Sequence, residues 1–422
     1  MSESSPERAP LLRPSQNDRL SLPPKSITKL LVGGLLVVTF TVATIILASF
    51  DEKLHADPKQ VALSVLQAAP VIDGHIDLPA TLRWLYKNDI SSFDLHQTMP
   101  GHVDIPRLRK GHVGGFFWSV FVPCEDDGPD FLVPTNRVRD TLEQIDVSKL
   151  LIHKYSDTFM LATGTADVKE AFRVGKIASL IGVEGGHQLG NSLAVLRQYH
   201  SVGARYLTLT HSCNNAFADS AGVFTPVTPV HGGLSAFGKE LVLELNRLGM
   251  LVDLSHVSDD TAIQAIHLSL APVILSHSAA RALHNLTRNV PDHILNMIGT
   301  SKGKKDAVVM VNFSTDFLTG QDNATLADVA DHIEHIGRVA GREHVGIGSD
   351  FDGIPSTPKG LEDASTYPAL FIELRRRGWT RGQLAGLASA NFLRVLAGVE
   401  ETARRMKQQS PSMARYRKRV DL

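Results

Sequence analysis

Residues 250–258 read MLVDLSHVS and residues 272–278 read PVILSHS. Each is a short apolar run ending in Ser-His, and a helix-like segment, 258–268, lies between them. Short apolar runs alternating with amphipathic segments read as parallel strands joined by crossover helices. Adjacent parallel strands set equivalent positions side by side, so His256 and His277 fall on one rim. A lone histidine at such a place is more often a satisfied core residue. Two in consecutive units favour shared ligation.

The same alternation extends outward from about residue 69. Candidate strands are 70–73, 115–121, 178–183, 206–210, 250–254, 272–276, 307–312 and 345–349. Helical stretches are expected at 141–154, 193–201, 235–248, 258–268, 325–339 and 367–377, with a last one running from Thr380 to 407. Eight strands with intervening helices predict an α/β fold, a closed (β/α)8 TIM-type barrel. An open doubly wound sheet is the alternative, but no GxGxxG or P-loop pattern follows any strand.

Other metal-type side chains occupy the ends of these runs. His75 and Asp77 are two apart, so on a strand both face one way while Ile76 turns aside. Glu184 closes an apolar run; it is either a paired structural carboxylate or a ligand bridging two metals. His211 ends the run at 206–210 and could donate to an oxyanion. Asp350 ends the last run and could move a proton, while Asp352, followed by Gly353, reads as a turn residue. Arg288 could grip a carboxylate, but its own context reads as a surface arginine.

A net charge of −1 argues against nucleic-acid binding. Residues 30–50, LLVGGLLVVTFTVATIILASF, carry no charge and are long enough to cross a bilayer. Five Lys/Arg residues precede this run and Asp51-Glu52 follows it, which predicts a single-pass type II protein. The expected organisation is a disordered cytoplasmic tail at 1–29, a transmembrane helix at 30–50, a stem at 51–68, a catalytic barrel at 69–400 and a basic, solvated tail at 401–422. A cleaved signal peptide would have a shorter apolar run starting earlier. The catalytic part is then extracellular or luminal, where the only two cysteines, Cys124 and Cys213, suit one disulfide. Two unpaired buried thiols are the alternative. Asn285, Asn312 and Asn323 head glycosylation sequons, of which Asn285 and Asn323 are the candidates for use.

Several segments together resemble the membrane dipeptidase (renal dipeptidase) family of zinc peptidases. They include VIDGHIDLP at 71–79, KGHVGGFFWSVFVPC at 110–124, SLIGVEGGHQLG at 179–190 and GARYLTLTHSCN at 203–214. They continue with the two Ser-His runs, RNVPD at 288–292, HVGIGSDFDGI at 344–354 and NFLRVL at 391–396. The resemblance implies two zinc ions per chain, one on His75 and Asp77, one on His256 and His277, with Glu184 bridging. It implies that a zinc-bridging hydroxide attacks the peptide bond of a dipeptide, His211 steadying the intermediate, Arg288 gripping the free carboxylate and Asp350 transferring the proton. It also implies a Cys124–Cys213 disulfide, so that a homodimer would be non-covalent. Ser314 stands where the family commonly has a larger polar aromatic residue. An amidohydrolase of lactams or cyclic amides is the rival enzyme; a non-enzymatic membrane-anchored binding protein would have lost ligands that are all retained here.

Overall fold

The computed structural model describes residues 57–419. The expected cytoplasmic tail and transmembrane run lie outside them. Among the described residues no helix is long and apolar enough to cross a membrane.

Nine strands form one parallel sheet. They are β1 (Val71–Ile76), β2 (Val113–Val120), β3 (Phe159–Leu161), β4 (Ile177–Glu184), β5 (Ala204–Thr208), β6 (Leu251–Asp253), β7 (Val273–Ser278), β8 (Ala307–Val311) and β9 (Val345–Ile347). Eight of them close a ring. β1 pairs with β2 and β9, and β2 pairs with β4 in unbroken register from Gly115–Ala178 to Val120–Val183. From β4 the ring runs in order through β5, β6, β7 and β8 to β9. The expected barrel is therefore present. The unexpected ninth strand, β3, pairs only with Ile177, Ala178 and Ser179 at the start of β4. Three residues are too few to show a strand period in the sequence.

All eight barrel strands are buried along almost their whole length, as expected where helices cover one face and side chains fill the interior. Gly182 shows how tightly that interior is filled. A Cβ there would lie 2.1 Å from the Tyr206 ring, so its absence lets Tyr206 reach across the barrel. Several helices start where hydroxyl caps predict. Ser235 accepts from Gly238 N, Ser258 from Thr261 N and Thr380 from Gln383 N.

Two of the expected segments pack more closely than expected. Of the expected stem, the described residues from 57 on join the globular unit, and Pro58–Ala68 is a helix capped by Asp57. Its Val61, Ala62, Val65 and Leu66 form one buried stripe, and Arg381 holds its Ser64. The basic tail, as far as it is described, is not free in solvent. After the helix Asn391–Arg405 the chain lies along the helix Ala236–Leu248. There Ser412 donates to Glu240 and Glu244, Tyr416 is buried near Phe237, and Lys418 pairs with Asp130. The partners along that path, Glu240, Glu244, Phe237 and Asp130, belong to distant segments, and local sequence does not reveal them.

Cys124 and Cys213 form a disulfide across 89 residues. Closing a loop of that length stabilises the fold by about 4–5 kcal/mol in the chain-entropy account. The bond ties the segment after β2 to the segment after β5 that carries His211.

His332 is buried on the helix Leu326–Val339, its Nδ1 accepting from Ala280 N and its Nε2 facing Leu318 O. Burial holds its pKa down to about 4. Between that value and about 6.5 the unfolded chain takes up a proton that the fold refuses, so stability falls as pH falls through this window. The difference in unfolding free energy between the unaltered protein and His332→Gln is expected to shrink by about 2 kcal/mol from pH 7 to pH 5. A pH-independent difference in paired thermal melts would contradict this.

Candidate metal centre

The C-terminal ends of the barrel strands carry the expected residues. His75 lies in β1, Glu184 is the last residue of β4 and His277 lies in β7. Asp77 begins the helix Leu78–Tyr86, and His211, His256 and Asp350 each stand three residues beyond β5, β6 and β9. This end of a (β/α)8 barrel is where strands converge and loops diverge, leaving room for a ligand.

The side chains meet at Glu184. Its Oε1 lies 3.0 Å from His256 Nε2, 3.2 Å from His277 Nε2, 3.5 Å from His75 Nε2 and 3.9 Å from His211 Nε2. His75 Nε2 is also 3.2 Å from Asp77 and 3.8 Å from Asp350. Three overlapping groups, His75/Glu184/His277, Glu184/His211/His256 and His75/Asp77/Asp350, could each hold a metal ion. All five expected ligands, with His211 and Asp350, thus form one cluster. His277 reaches toward both halves of it, its ring 3.7 Å from that of His75 and its Nε2 2.9 Å from His256 Nε2.

The cluster's electrostatics call for cations. Burial holds His211, His256 and His277 well below the ordinary imidazole pKa, so each offers a lone pair. Burial drives Glu184 well above the carboxylate range. Burial would depress His75 too, but Glu184, Asp77 and Asp350 outweigh it and raise that imidazole to about 10. His75 Nε2 and Asp77 Oδ1 are buried without hydrogen-bond partners. Orphaned buried donors of metal-binding type within this cluster fit a metal centre.

Residues that the sequence reading did not single out hold the ligands in place. Tyr206 OH is 2.9 Å from His75 Nδ1. Ser276 Oγ is 2.8 Å from His277 Nδ1 and donates to Asp253, which also accepts from Thr208 Oγ1 and from the amides of Ser255 and Ser276. Asp73 accepts from the amides of His75 and Ser349 and from Tyr367 OH. Asn312, the third sequon asparagine, is buried and donates to Asp350 Oδ2 at 2.8 Å, so it serves the site and is no surface acceptor. Their shared signal was position: inward-facing polar residues in strands otherwise apolar.

Two residues depart from their local reading. Arg288 is buried and not a surface arginine; it donates to His277 O at 2.8 Å, with its guanidinium 5.2 Å from the centre of the Phe317 ring. Asp352 does sit in a turn (φ 68°), but its buried carboxylate also accepts from His102 N at 2.6 Å and its amide donates back to His102 Nδ1.

A cavity of about 330 Å³ opens above the cluster. Asp77, Glu184, His211, His256 and Asp350 form its floor, and Trp84, Phe121, Phe224 and Phe317 are among its walls. Volumes near 300 Å³ are at the small end for ligand sites.

The family model for membrane dipeptidase, peptidase family M19, matches residues 59–410. This chain belongs to that family. Dipeptidase aclJ from Aspergillus oryzae is 45% identical over 357 residues, covering 83% of this chain and 82% of that one. A metallopeptidase from Rhodobacter sphaeroides, solved with a phosphinate mimic of the dipeptide L-Ala-D-Ala, is 28% identical with a TM-score of 0.69. That match covers 78% of this chain and 99% of the other. The M19 metallopeptidase called dipeptidase AC is 27% identical with a TM-score of 0.68, over 78% and 99% of the two chains.

Gly353 is the position where a single methyl group tests the cluster. A Cβ there would lie 2.1 Å from Asp77 Oδ2 and 2.9 Å from Asp350 Oδ1. Gly353→Ala is expected to reduce metal uptake, measured by metal analysis after dialysis against zinc, with circular dichroism unchanged. Undiminished uptake would show that the carboxylate pair does not need this space.

Proposed function

We propose that this protein is a zinc-dependent dipeptidase that hydrolyses dipeptides with a free C-terminal carboxylate. The observation that carries the reading is the convergence of three imidazole Nε2 atoms on Glu184 Oε1 within 3.5 Å, on the floor of a small cavity. Imidazole and carboxylate donors suit zinc, and a carboxylate shared between two groups suits a pair of ions. His75 and Asp77 would hold one, His256 and His277 the other, and Glu184 would join them. Bound there, the pair would supply a water of lowered pKa, a bridging hydroxide, and would polarise the scissile carbonyl. The dipeptide mimic bound by the Rhodobacter relative supports the substrate class.

The chain's own residues complete the chemistry. His211 lines the cavity, and burial favours its neutral ring, so an N–H of that ring would donate to the oxyanion without carrying a charge of its own. Burial raises Asp350 to about 6, within reach of neutral pH, while Asn312 fixes its Oδ2 and leaves Oδ1 toward His75. Asp350 thus takes a proton from the attacking water and returns it to the leaving amine. Arg288 supplies the positive charge behind His277 that favours a substrate carboxylate on that side. A third residue on the substrate would displace that carboxylate. Glu184→Ala is expected to abolish turnover and metal retention together. On the unaltered protein, a dipeptide should be cleaved at least about 100-fold faster than its tripeptide or C-terminal amide; equal rates would refute dipeptide selectivity.

We also propose a type II membrane anchor at residues 30–50, with the barrel outside or in a lumen. The charge asymmetry around that run supports this, as does the disulfide, which persists in oxidising compartments. Asn285 and Asn323 are exposed, as a glycan requires. Full-length protein from a eukaryotic secretory host should lose mass on glycosidase treatment, and the Asn285→Gln/Asn323→Gln double variant should not. A glycosidase shift that survives both substitutions would put the glycan elsewhere.

A further inference from the structure

The walls of the cavity carry more information than its floor. Apart from the reacting cluster, the lining is mostly apolar: Trp84, Phe121, Val223, Phe224, Phe317 and Ile354 among it. Two of these, Trp84 at 56% and Phe224 at 62%, are among the most exposed large hydrophobic residues of the described chain. Large aromatic rings left in water at the mouth of a site are recognition surfaces more often than structural ones.

The rings form two separate walls. Trp84 lies on the helix that starts at the ligand Asp77, and it meets Phe121 edge-on at 6.3 Å. Phe121 in turn packs 4.7 Å from His211. Opposite in connectivity, Phe224 comes from the segment after β5 and meets Phe317 at 6.2 Å. Phe317 lies under the Arg288 guanidinium. The second wall is therefore the one beside the positive charge that would take the substrate's carboxylate. Ser314, small and buried, lines the cavity at the head of the short helix that bears Phe317.

We infer that the cavity selects dipeptides with bulky apolar or aromatic side chains, the Phe224–Phe317 wall reading the C-terminal residue and the Trp84–Phe121 wall the N-terminal one. The inference rests on the dipeptidase reading and adds to it the substrate class and the residues that set it. Ring-to-ring contact and removal of both surfaces from water supply the preference. The one charged group on the wall outside the reacting cluster, Asp316, would favour a cationic side chain instead, which makes basic dipeptides the competing class.

The test is kcat/KM on the zinc-loaded full chain for Ala-Ala, Ala-Phe, Phe-Ala, Ala-Lys and Lys-Ala. Ala-Phe and Phe-Ala are expected to exceed Ala-Ala and both lysine dipeptides by about tenfold or more. Phe224→Ala should cost Ala-Phe about tenfold more than it costs Phe-Ala, and Trp84→Ala should do the reverse. Both rings are exposed, so neither substitution removes core packing. Phe224→Tyr, which keeps the ring, should restore the Ala-Phe preference. Equal losses on all substrates, or lysine dipeptides as the best substrates, would overturn the inference while leaving the dipeptidase reading intact. Failure to cleave any of the five would overturn both.

Discussion

The organising constraint of this molecule is the burial of the Glu184 carboxylate among imidazoles at the mouth of the barrel. A carboxylate taken out of water is costly unless opposite charge or strong donors surround it. Here four histidines from β1, β7 and the segments after β5 and β6 approach one of its oxygens. Most of these imidazoles are held neutral by burial, so they cannot themselves compensate the acid groups. The arrangement brings imidazole and carboxylate groups that could hold metal ions within reach of one another. The barrel's closure, its glycines and its buried polar network all serve to keep this cluster assembled.

Backbone conformation shows what that assembly costs. His256, Asp350 and Asp352 all adopt left-handed φ values, at 66°, 66° and 68°. For residues with a Cβ this costs of order 1–2 kcal/mol each. In return the chain turns sharply at the end of β6 and again beyond β9, throwing His256 and Asp350 inward over the barrel. The hydrogen bond from Asp350 N to His75 O and the pairing of Asp352 with His102 hold the second turn in place.

Beneath the cluster, two buried carboxylates act as anchors. Asp253 gathers Ser255, Ser276 and Thr208 and so fixes the two Ser-His turns relative to each other. Asp73 gathers His75 N, Ser349 N and Tyr367 OH and does the same for β1 and β9. Ligand geometry is thereby set by strand-to-strand contacts in the barrel interior, and the loops above remain free to shape the cavity. The disulfide supplies the one covalent link among those loops, beside His211.

The barrel and its metal-type residues were legible because they follow from local periodicity: a short apolar run, a ligand at its end, an amphipathic helix, repeated. The two Ser-His runs needed only that rule, and so did Glu184. Burial of Arg288 was not legible, because its carbonyl partner on His277 and its ring partner Phe317 come from elsewhere in the chain. The same holds for Tyr206, which reaches His75 only because Gly182 leaves room across the barrel, and for the tail, which follows Glu240 and Glu244 on a distant helix. Sequence by itself determined the eight barrel strands and which residues of metal-binding type stand at their ends, since spacing and residue type are properties of the chain. Tertiary structure alone decided which of these residues meet, which polar groups steady them and which aromatic rings line the cavity beside them, since those are distances between segments that only closure of the barrel brings together.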